Sequence, residues 1–354
     1  MALKDLLFLE ERLAVMECVE DLFGDKAEAT AIEENYYSLG AALSGVDEKI
    51  AGQLRTALAK HYDAAQKALS TGSYGERKEV GVKLRHSQYG EFHLKSLIST
   101  SEVAKTYFGN TQRGDQSAPI IVKIANGNTP AEIKANSDLL SDEAGTLRTL
   151  WRDSDDPNLF HLPELYAQFA LKGKQVNVLQ YALGHDLVHV RMSPHHEKGV
   201  AGQHIAWVLQ RTLPTLGYCH SRDIVHGNIT PEHLIIDQVI HNVSIISWQY
   251  SVKTGSPYKA VRNDYVAPES LRPDMLALPA SDVYSLGKSI IYLAGGNPAT
   301  NELPKSLPRG LKAVLSSMVL PSPLQRPKPF ELFEQVDELR HELFGGKKYV
   351  EFLI

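Results

Sequence analysis

Apolar residues recur at helical spacing near the start of the chain and then change to an alternating, strand-like pattern. Leu54 and Leu58, one helical turn apart, are typical of the first part. The residues 71–75, TGSYG, interrupt that spacing and mark a domain boundary. The alternation over Val80–Leu84 then predicts a strand. The pattern therefore predicts an N-terminal helical domain over residues 1–75, followed by a β-rich region.

The rest of the chain divides into a β-rich part and a mainly helical part. Strands are predicted over 92–99, 104–108, 118–125, 165–171 and 176–181, with one helix over 131–151. Helices are predicted over 205–220, 282–294 and 311–318. A run of strands followed by a run of helices indicates an α+β fold rather than a doubly wound sheet. The predicted domains are 1–75, 80–183, 184–345 and a C-terminal tail over 346–354.

Composition narrows the class of protein. The 354 residues are 43% hydrophobic and 22% charged, which is ordinary for a soluble globular protein. A net charge of −5 argues against a broad surface for nucleic acid or anionic lipid. The two cysteines, Cys18 and Cys219, form no CxxC pattern, so neither a disulfide framework nor a zinc site is expected. No signal peptide or spanning segment is predicted, and we expect a cytoplasmic protein without nucleic-acid or membrane partners.

Short motifs after residue 80 follow one another in a particular order. They are VKIA at 122–125, Glu143, LQYA at 179–182, IVHGNITPEH at 224–233, ISWQ at 246–249, APE at 267–269, SDVYSLG at 281–287, and Arg326. In this order they resemble the protein kinase family over about residues 80–345. The resemblance implies a bilobal protein-kinase-like fold, with a small β-rich lobe and a large helical lobe.

The resemblance also assigns roles to individual residues. It implies that any retained nucleotide-binding function rests on Lys123, Glu143, Gln180 and Ala182. It implies structural roles for Glu269, Arg326, Asp282 and His226. The first two are expected to form a buried bidentate pair.

Five positions depart from the family pattern in ways that bear on catalysis, among them Thr230 in place of the catalytic-loop lysine and Gly227 in place of an arginine. Asn228 stands where the family has the aspartate that accepts the substrate proton, and an amide is not a base at neutral pH. Ser247 and His233 stand at the two positions that hold magnesium, which prefers anionic oxygen. The residues 99–104, STSEVA, replace the glycine-rich loop and lack its glycines.

These departures predict a catalytically inactive pseudokinase that acts as a protein-binding scaffold or regulator. No catalytic residue, metal site or cofactor is expected, and ATP binding, if retained, would be weak or independent of metal. The partner would be one or more proteins. An unconventional nucleotide-dependent phosphotransferase and a chaperone-associated adaptor are the alternatives.

The N-terminal region resembles the J-domain family more faintly. The resemblance lies in YYSLGAAL at 36–43 and YDAAQKAL at 62–69, whereas SGVD at 44–47 stands in place of the His-Pro-Asp triplet. A helical domain used for packing or docking is the alternative interpretation. The combination with a degenerate kinase-like region resembles a group of bacterial kinase-like proteins and predicts a bacterial origin.

Overall fold

The fold is seen in a computed structural model of the chain. The structure describes residues 78–113, 116–152, 156–238, 241–259, 264–272, 274–346 and 350–354. The predicted N-terminal helical domain and its J-domain-like segments lie outside the described residues. The described residues form two compact units, and the second comprises Asp142–Pro163 and the residues from Ala182 onward.

The first unit is built on a six-stranded antiparallel sheet in the order β1-β2-β3-β4-β6-β5. Its strands are β1 (Lys78–His86), β2 (Gly90–Thr100), β3 (Ala104–Arg113), β4 (Gln116–Ala125), β5 (Leu165–Leu171) and β6 (Lys174–Gln180). The β-branched run of β4 suits a central strand, which pairs with β3 on one side and β6 on the other. In this register Lys123 lies opposite Thr106 and Asn177.

One face of the sheet carries a hydrophobic core. Ile120 and Val122 of β4 are fully buried there beside Val176 and Val178 of β6. Apolar side chains at every second position produce this face, because successive strand residues point to opposite sides.

The sheet is strongly curled. The rings of His86, in β1, and Phe169, in β5, have centroids 4.7 Å apart, although these strands stand at opposite ends of the strand order. Phe92 of β2 stacks on the same phenylalanine at 5.9 Å. The aromatic contacts therefore bring the two ends of the sheet together on one side.

The second unit is mainly helical. Numbered in chain order, the helices of the described residues are α1 (Pro130–Leu150), α2 (Leu187–Met192), α3 (Gly202–Ser221), α4 (Pro279–Leu293), α5 (Arg309–Met318) and α6 (Pro329–Phe344), of which α1 begins in the first unit. Short strands join them: β7 (His185–Asp186), β8 (Ile224–Val225), β9 (Leu234–Asp237), β10 (Asn242–Ile245) and β11 (Val252–Lys253). They form a sheet in the order β10-β9-β7 and a pair of β11 with β8.

Helices α3 and α6 pack closely through a glycine. A Cβ at Gly217 would come within 2.6 Å of the Phe330 ring, so the absence of a side chain lets α6 approach. Three residues earlier, Pro214 lies inside α3, where it removes one backbone hydrogen bond. Apart from this position the helix is regular and mostly buried.

The α+β composition predicted from the sequence is confirmed. The predicted strands at 118–125 and 165–171 and the helix at 131–151 match β4, β5 and α1 within about two residues. Helix α6 and the short strands β7–β11 were not predicted. Within the described part of the chain, none of the helices is long and apolar enough to cross a membrane.

Candidate active site

A buried carboxylate on α4 holds the candidate catalytic loop. Asp282 is 1% exposed, and its two oxygens accept the backbone N–H groups of His226 at 2.8 Å and Gly227 at 2.9 Å. His220 contacts the same carboxylate through Nε2 at 2.9 Å. These bonds fix the backbone immediately before Asn228.

Gly227 makes the turn possible. Its φ of +73° lies in the left-handed region, which side chains disfavour. A Cβ there would also come within 3.1 Å of the Tyr250 carbonyl oxygen. A larger residue would displace the loop from Asp282.

The imidazole of His226 links the loop to the segment at 246–248. Its Nε2 lies 3.0 Å from the carbonyl oxygen of Ile246, to which it donates. Its Nδ1 then accepts the N–H of Asn228 at 3.2 Å. The two partners together define a neutral imidazole protonated at Nε2.

Asn228 and His233, two of the positions predicted to be degenerate, are in contact. Asn228 is 7% exposed, and its backbone carbonyl oxygen accepts a hydrogen bond from Nδ1 of His233 at 2.8 Å. The Thr230 hydroxyl lies 3.3 Å from the same nitrogen. His233 therefore stabilises the loop through its backbone.

Ser247 and Trp248 occupy a left-handed turn after β10. Ser247 has φ +71° and ψ +58°. The indole of Trp248 is fully buried, donates to the Ile245 carbonyl oxygen at 2.9 Å and lies 4.5 Å from the His226 ring. The backbone N–H of Trp248 donates to Oε1 of Glu143 at 3.2 Å. The tryptophan thus fills hydrophobic space behind the loop.

The residues at the two metal positions do not fit a magnesium ion. Ser247 offers a neutral hydroxyl, and Nδ1 of His233 is already hydrogen-bonded to the backbone carbonyl oxygen of Asn228. Magnesium prefers carboxylate and phosphate oxygens, and imidazole suits softer metals. In the described residues, no three His, Cys, Asp or Glu side chains converge as metal ligands.

Glu269 and Arg326 form a buried ion pair in the same unit. Nη2 of the arginine donates to Oε2 of the glutamate at 2.9 Å, and Nη1 donates to Oε1. The Ser281 hydroxyl also donates to Oε1, at 2.8 Å. Burial raises the pKa of Glu269, but the hydrogen bonds from Arg326 and Ser281 outweigh it and leave that pKa below the ordinary value.

The positions assigned to the nucleotide lie in both units. Lys123 is 8% exposed in β4, and Gln180 ends β6, with its side-chain oxygen accepting the Glu164 N–H at 3.3 Å. Glu143 of α1 is fully buried, and Ala182 follows β6. Lys123 and Gln180 belong to the first unit, and Glu143 and Ala182 belong to the second.

The segment predicted to replace the glycine-rich loop forms a tight turn between β2 and β3. The N–H of Ser101 donates to the Ala104 carbonyl oxygen at 2.9 Å. Asn126 donates to the Ser101 carbonyl oxygen at 2.7 Å, and Asn136 donates to that of Glu102 at 2.8 Å. The side chains of the two asparagines stabilise this turn. Neither asparagine was identified from the sequence.

Sequence reasoning also missed a group of ionisable residues after the loop. Burial and the nearby charges of Glu232, Tyr292 and Asp264 raise the pKa of Tyr265 to about 12. Lys288 is 8% exposed in α4. No motif pointed to Tyr265 or Lys288, since both lie just outside the motifs at 267–269 and 281–287.

Comparison with known proteins finds similarity to protein kinases. A family model described as the protein kinase domain matches residues 115–336, more than half of the chain. A carbon catabolite-derepressing protein kinase of Candida glabrata is 26% identical over 294 residues, covering 75% of this chain and 44% of the relative. CBL-interacting serine/threonine-protein kinase 3 of Arabidopsis thaliana is 24% identical over 273 residues, covering 69% and 58%.

A further relative is bacterial. Serine/threonine-protein kinase D of Synechocystis is 26% identical over 196 residues, covering 52% of this chain and 36% of the relative. The chain therefore spans less than two thirds of the length of each of these relatives.

The comparisons correct the function predicted from the sequence. The relatives are named as protein kinases, which indicates kinase function rather than an inactive pseudokinase. The prediction of a catalytically inactive scaffold is therefore wrong. It gave decisive weight to the substituted positions and the lost glycines, whereas the backbone before Asn228 is still held by Asp282.

Proposed function

Because the chain belongs to the protein kinase family, we propose that it binds ATP and transfers the terminal phosphoryl group to a hydroxyl group of a protein. The observation that carries this proposal is the bracing of the loop by Asp282, which accepts the N–H groups of both His226 and Gly227. An enzyme of this kind works mainly by positioning its reactants, so a fixed loop backbone is the feature that matters most.

The reaction can proceed without a basic side chain at position 228. The acceptor oxygen forms a bond to the terminal phosphorus, while the bond from that phosphorus to the bridging oxygen breaks and its electron pair leaves with ADP. In the loose transition state of such reactions the acceptor hydroxyl loses its proton late. The side-chain oxygen of Asn228 orients the hydroxyl by accepting a hydrogen bond, and the proton passes to the transferred phosphoryl group and then to water.

This arrangement makes the reaction slow. General-base catalysis contributes a factor of roughly 10²–10⁴ to the rate, and the amide of Asn228 cannot provide it. We therefore propose turnover well below that of an enzyme with aspartate at this position.

The nucleotide itself is assigned to four residues. Lys123 is proposed to contact its phosphate groups, and the family resemblance assigns Glu143 to the nucleotide as well. The backbone around Gln180 and Ala182 is proposed to receive the adenine ring. Since Ser247 and His233 do not fit magnesium, ATP is proposed to bind independently of metal.

The substrate and other partners are proposed to be proteins, by analogy with relatives that are named as protein kinases. A cytoplasmic location, a bacterial origin and the domain limits given above stay predictions from the sequence.

The test is incorporation of labelled terminal phosphate from ATP into a general protein substrate, with and without EDTA. We expect slow incorporation that is lost in Lys123→Ala and kept in Lys95→Ala, which alters an exposed lysine of the same sheet. Asn228→Asp is expected to raise the rate by about 10² or more. Absence of both ATP binding and incorporation, in the wild type and in Asn228→Asp, would reject the proposal.

A further inference from the structure

Lys259 joins two parts of the second unit through a single ammonium group. Its Nζ donates to the backbone carbonyl oxygen of Gln249 at 3.0 Å and lies 3.0 Å from Oδ2 of Asp142, which belongs to α1. An ammonium group carries three N–H donors, so one lysine can serve both oxygens at once. Lys259 therefore bridges α1 and the 3-10 turn at Trp248–Tyr250.

Two further contacts join α1 to the same turn. The carboxylate of Glu143 accepts the N–H of Trp248 at 3.2 Å. The Thr146 hydroxyl lies 2.7 Å from that of Ser251, which donates in turn to the Trp248 carbonyl oxygen at 2.6 Å. Asp142, Glu143 and Thr146 lie within about one turn of α1. The three contacts therefore join one short stretch of the helix to one short turn of the chain.

The turn is in contact with the candidate catalytic loop. The rings of Trp248 and His226 have centroids 4.5 Å apart, and Nε2 of His226 donates to the Ile246 carbonyl oxygen at 3.0 Å. Nδ1 of the same imidazole accepts the N–H of Asn228 at 3.2 Å. A continuous series of contacts, all within the second unit, thus leads from Lys259 to Asn228.

The two contacts of Lys259 differ in strength. A hydrogen bond from an ammonium group to a carbonyl oxygen is charge-assisted and about twice as strong as a neutral one. The ion pair contributes less, because the Asp142 side chain is 57% exposed and water screens its charge. The lysine side chain itself is 20% exposed. The main effect of Lys259 is therefore to fix the position of the turn rather than to stabilise the whole unit.

We propose that Lys259 is a positioning residue for phosphoryl transfer. It holds the turn at Trp248–Tyr250 against α1 and, through Trp248 and His226, keeps the backbone of Asn228 in place. This inference rests on the proposed kinase function and adds a residue that acts through others rather than on the reacting atoms. A misplacement of about 1 Å can slow a reaction that depends on positioning about 10²-fold. Loss of the bridge is therefore expected to slow transfer without unfolding the protein.

The experiment compares Lys259→Met with the wild type in the full chain. Hydrogen exchange of a peptide covering residues 246–251 reports on the turn, because the N–H groups of Ile246, Trp248 and Ser251 are hydrogen-bonded. We expect exchange there to become about tenfold faster. Phosphate incorporation at saturating ATP is expected to fall about tenfold. The melting temperature is expected to change little, since a largely exposed ion pair contributes little to global stability.

Two variants separate the bridge from a general effect of substitution. Lys259→Arg keeps a cationic donor that can serve two oxygens, and it is expected to restore most of the rate and the slow exchange. Lys253→Met removes an exposed lysine of the nearby β11 and is expected to behave as the wild type. Because methionine and lysine are similar in length, a difference between Lys259→Met and Lys259→Arg reports on the donor group and not on packing.

The two measurements distinguish this inference from the kinase proposal. Unchanged exchange at residues 246–251, or an unchanged rate, in a folded Lys259→Met protein overturns the positioning role and leaves the kinase proposal in place. Absence of incorporation in both the wild type and Asn228→Asp rejects the kinase proposal and, with it, the role in transfer. The exchange comparison then still decides whether Lys259 holds the turn.

Discussion

Glu143 accepts the backbone N–H of Trp248 at 3.2 Å, and both residues are fully buried. They are 105 positions apart in the chain, so one hydrogen bond ties α1 to the segment that follows β10. The Thr146 hydroxyl, one turn further along α1, lies 2.7 Å from that of Ser251 and extends the same connection.

Removing the Glu143 carboxylate is therefore expected to lower stability. Glu143→Ala leaves the buried N–H of Trp248 without this acceptor, which costs about 1–3 kcal/mol of unfolding free energy. Urea unfolding monitored by tryptophan fluorescence measures the loss. Glu143→Gln keeps an acceptor oxygen and should lose clearly less. Equal losses in the two variants would show that charge, and not the hydrogen bond, is what matters.

Asp282→Asn is expected to be more damaging than an ordinary polar substitution. An amide has one acceptor oxygen, so the N–H of either His226 or Gly227 loses its partner inside the core. We expect a loss of about 3 kcal/mol, measured by chemical denaturation, together with loss of phosphate incorporation. Asp274→Asn, which alters an exposed pair with Arg272, is the matched control and should leave stability unchanged. A stable, active Asp282→Asn protein would contradict the bracing role.

The Glu269–Arg326 pair predicts a dependence of stability on pH. The folded-state pKa of Glu269 is below its ordinary value of 4.5, so the unfolded chain takes up a proton first as pH falls. The stabilisation is fully present above the unfolded pKa and is lost as pH falls through the folded pKa. Denaturation of the wild type and Glu269→Gln between pH 7 and pH 3 should show the difference between them shrinking below about pH 4.5. A constant difference would contradict this account.

His204 predicts a second pH effect in a higher range. Burial, with a smaller contribution from nearby His196, lowers the pKa of His204 to about 4. Between about pH 6.5 and pH 4 the unfolded chain therefore binds more protons, so stability rises with pH across this window. His204→Leu should reduce that slope by up to one proton in the same denaturation series. An unchanged slope in His204→Leu would contradict this prediction.

Local signals in the sequence were sufficient for the regular elements. The β-branched residues around Ile120 and Val122 indicate a strand whatever its neighbours, because they suit a pleated, buried surface. Helix α6 was missed although the sequence carries its signal, since Leu332, Val336, Leu339 and Leu343 are spaced four, three and four residues apart. The short strands β8 and β11 have two residues each and carry no pattern at all.

Site residues were predictable where a motif fixes their spacing in the sequence. They were unpredictable where contacts between distant parts of the chain determine which residues belong to the site. The motifs pointed to Asp282 and Glu269, but the bond from His226 to Asp282 spans 56 positions and can be seen only in three dimensions. Lys288 gave no signal, because lysine is normally exposed and its burial depends on the packing of α4. The predicted inactivity failed because a substituted side chain does not by itself report whether the surrounding loop is still held in place.

The ring contact between His86 and Phe169 has a consequence for solubility. A sheet with two separated free edges can recruit strands from other molecules, and this is a common route to aggregation. Here side chains from β1 and β5 meet, so an incoming strand at either edge would encounter aromatic rings from the other on that side. Within the described residues, the curl is therefore expected to hinder strand addition at these two edges on the side where the rings meet.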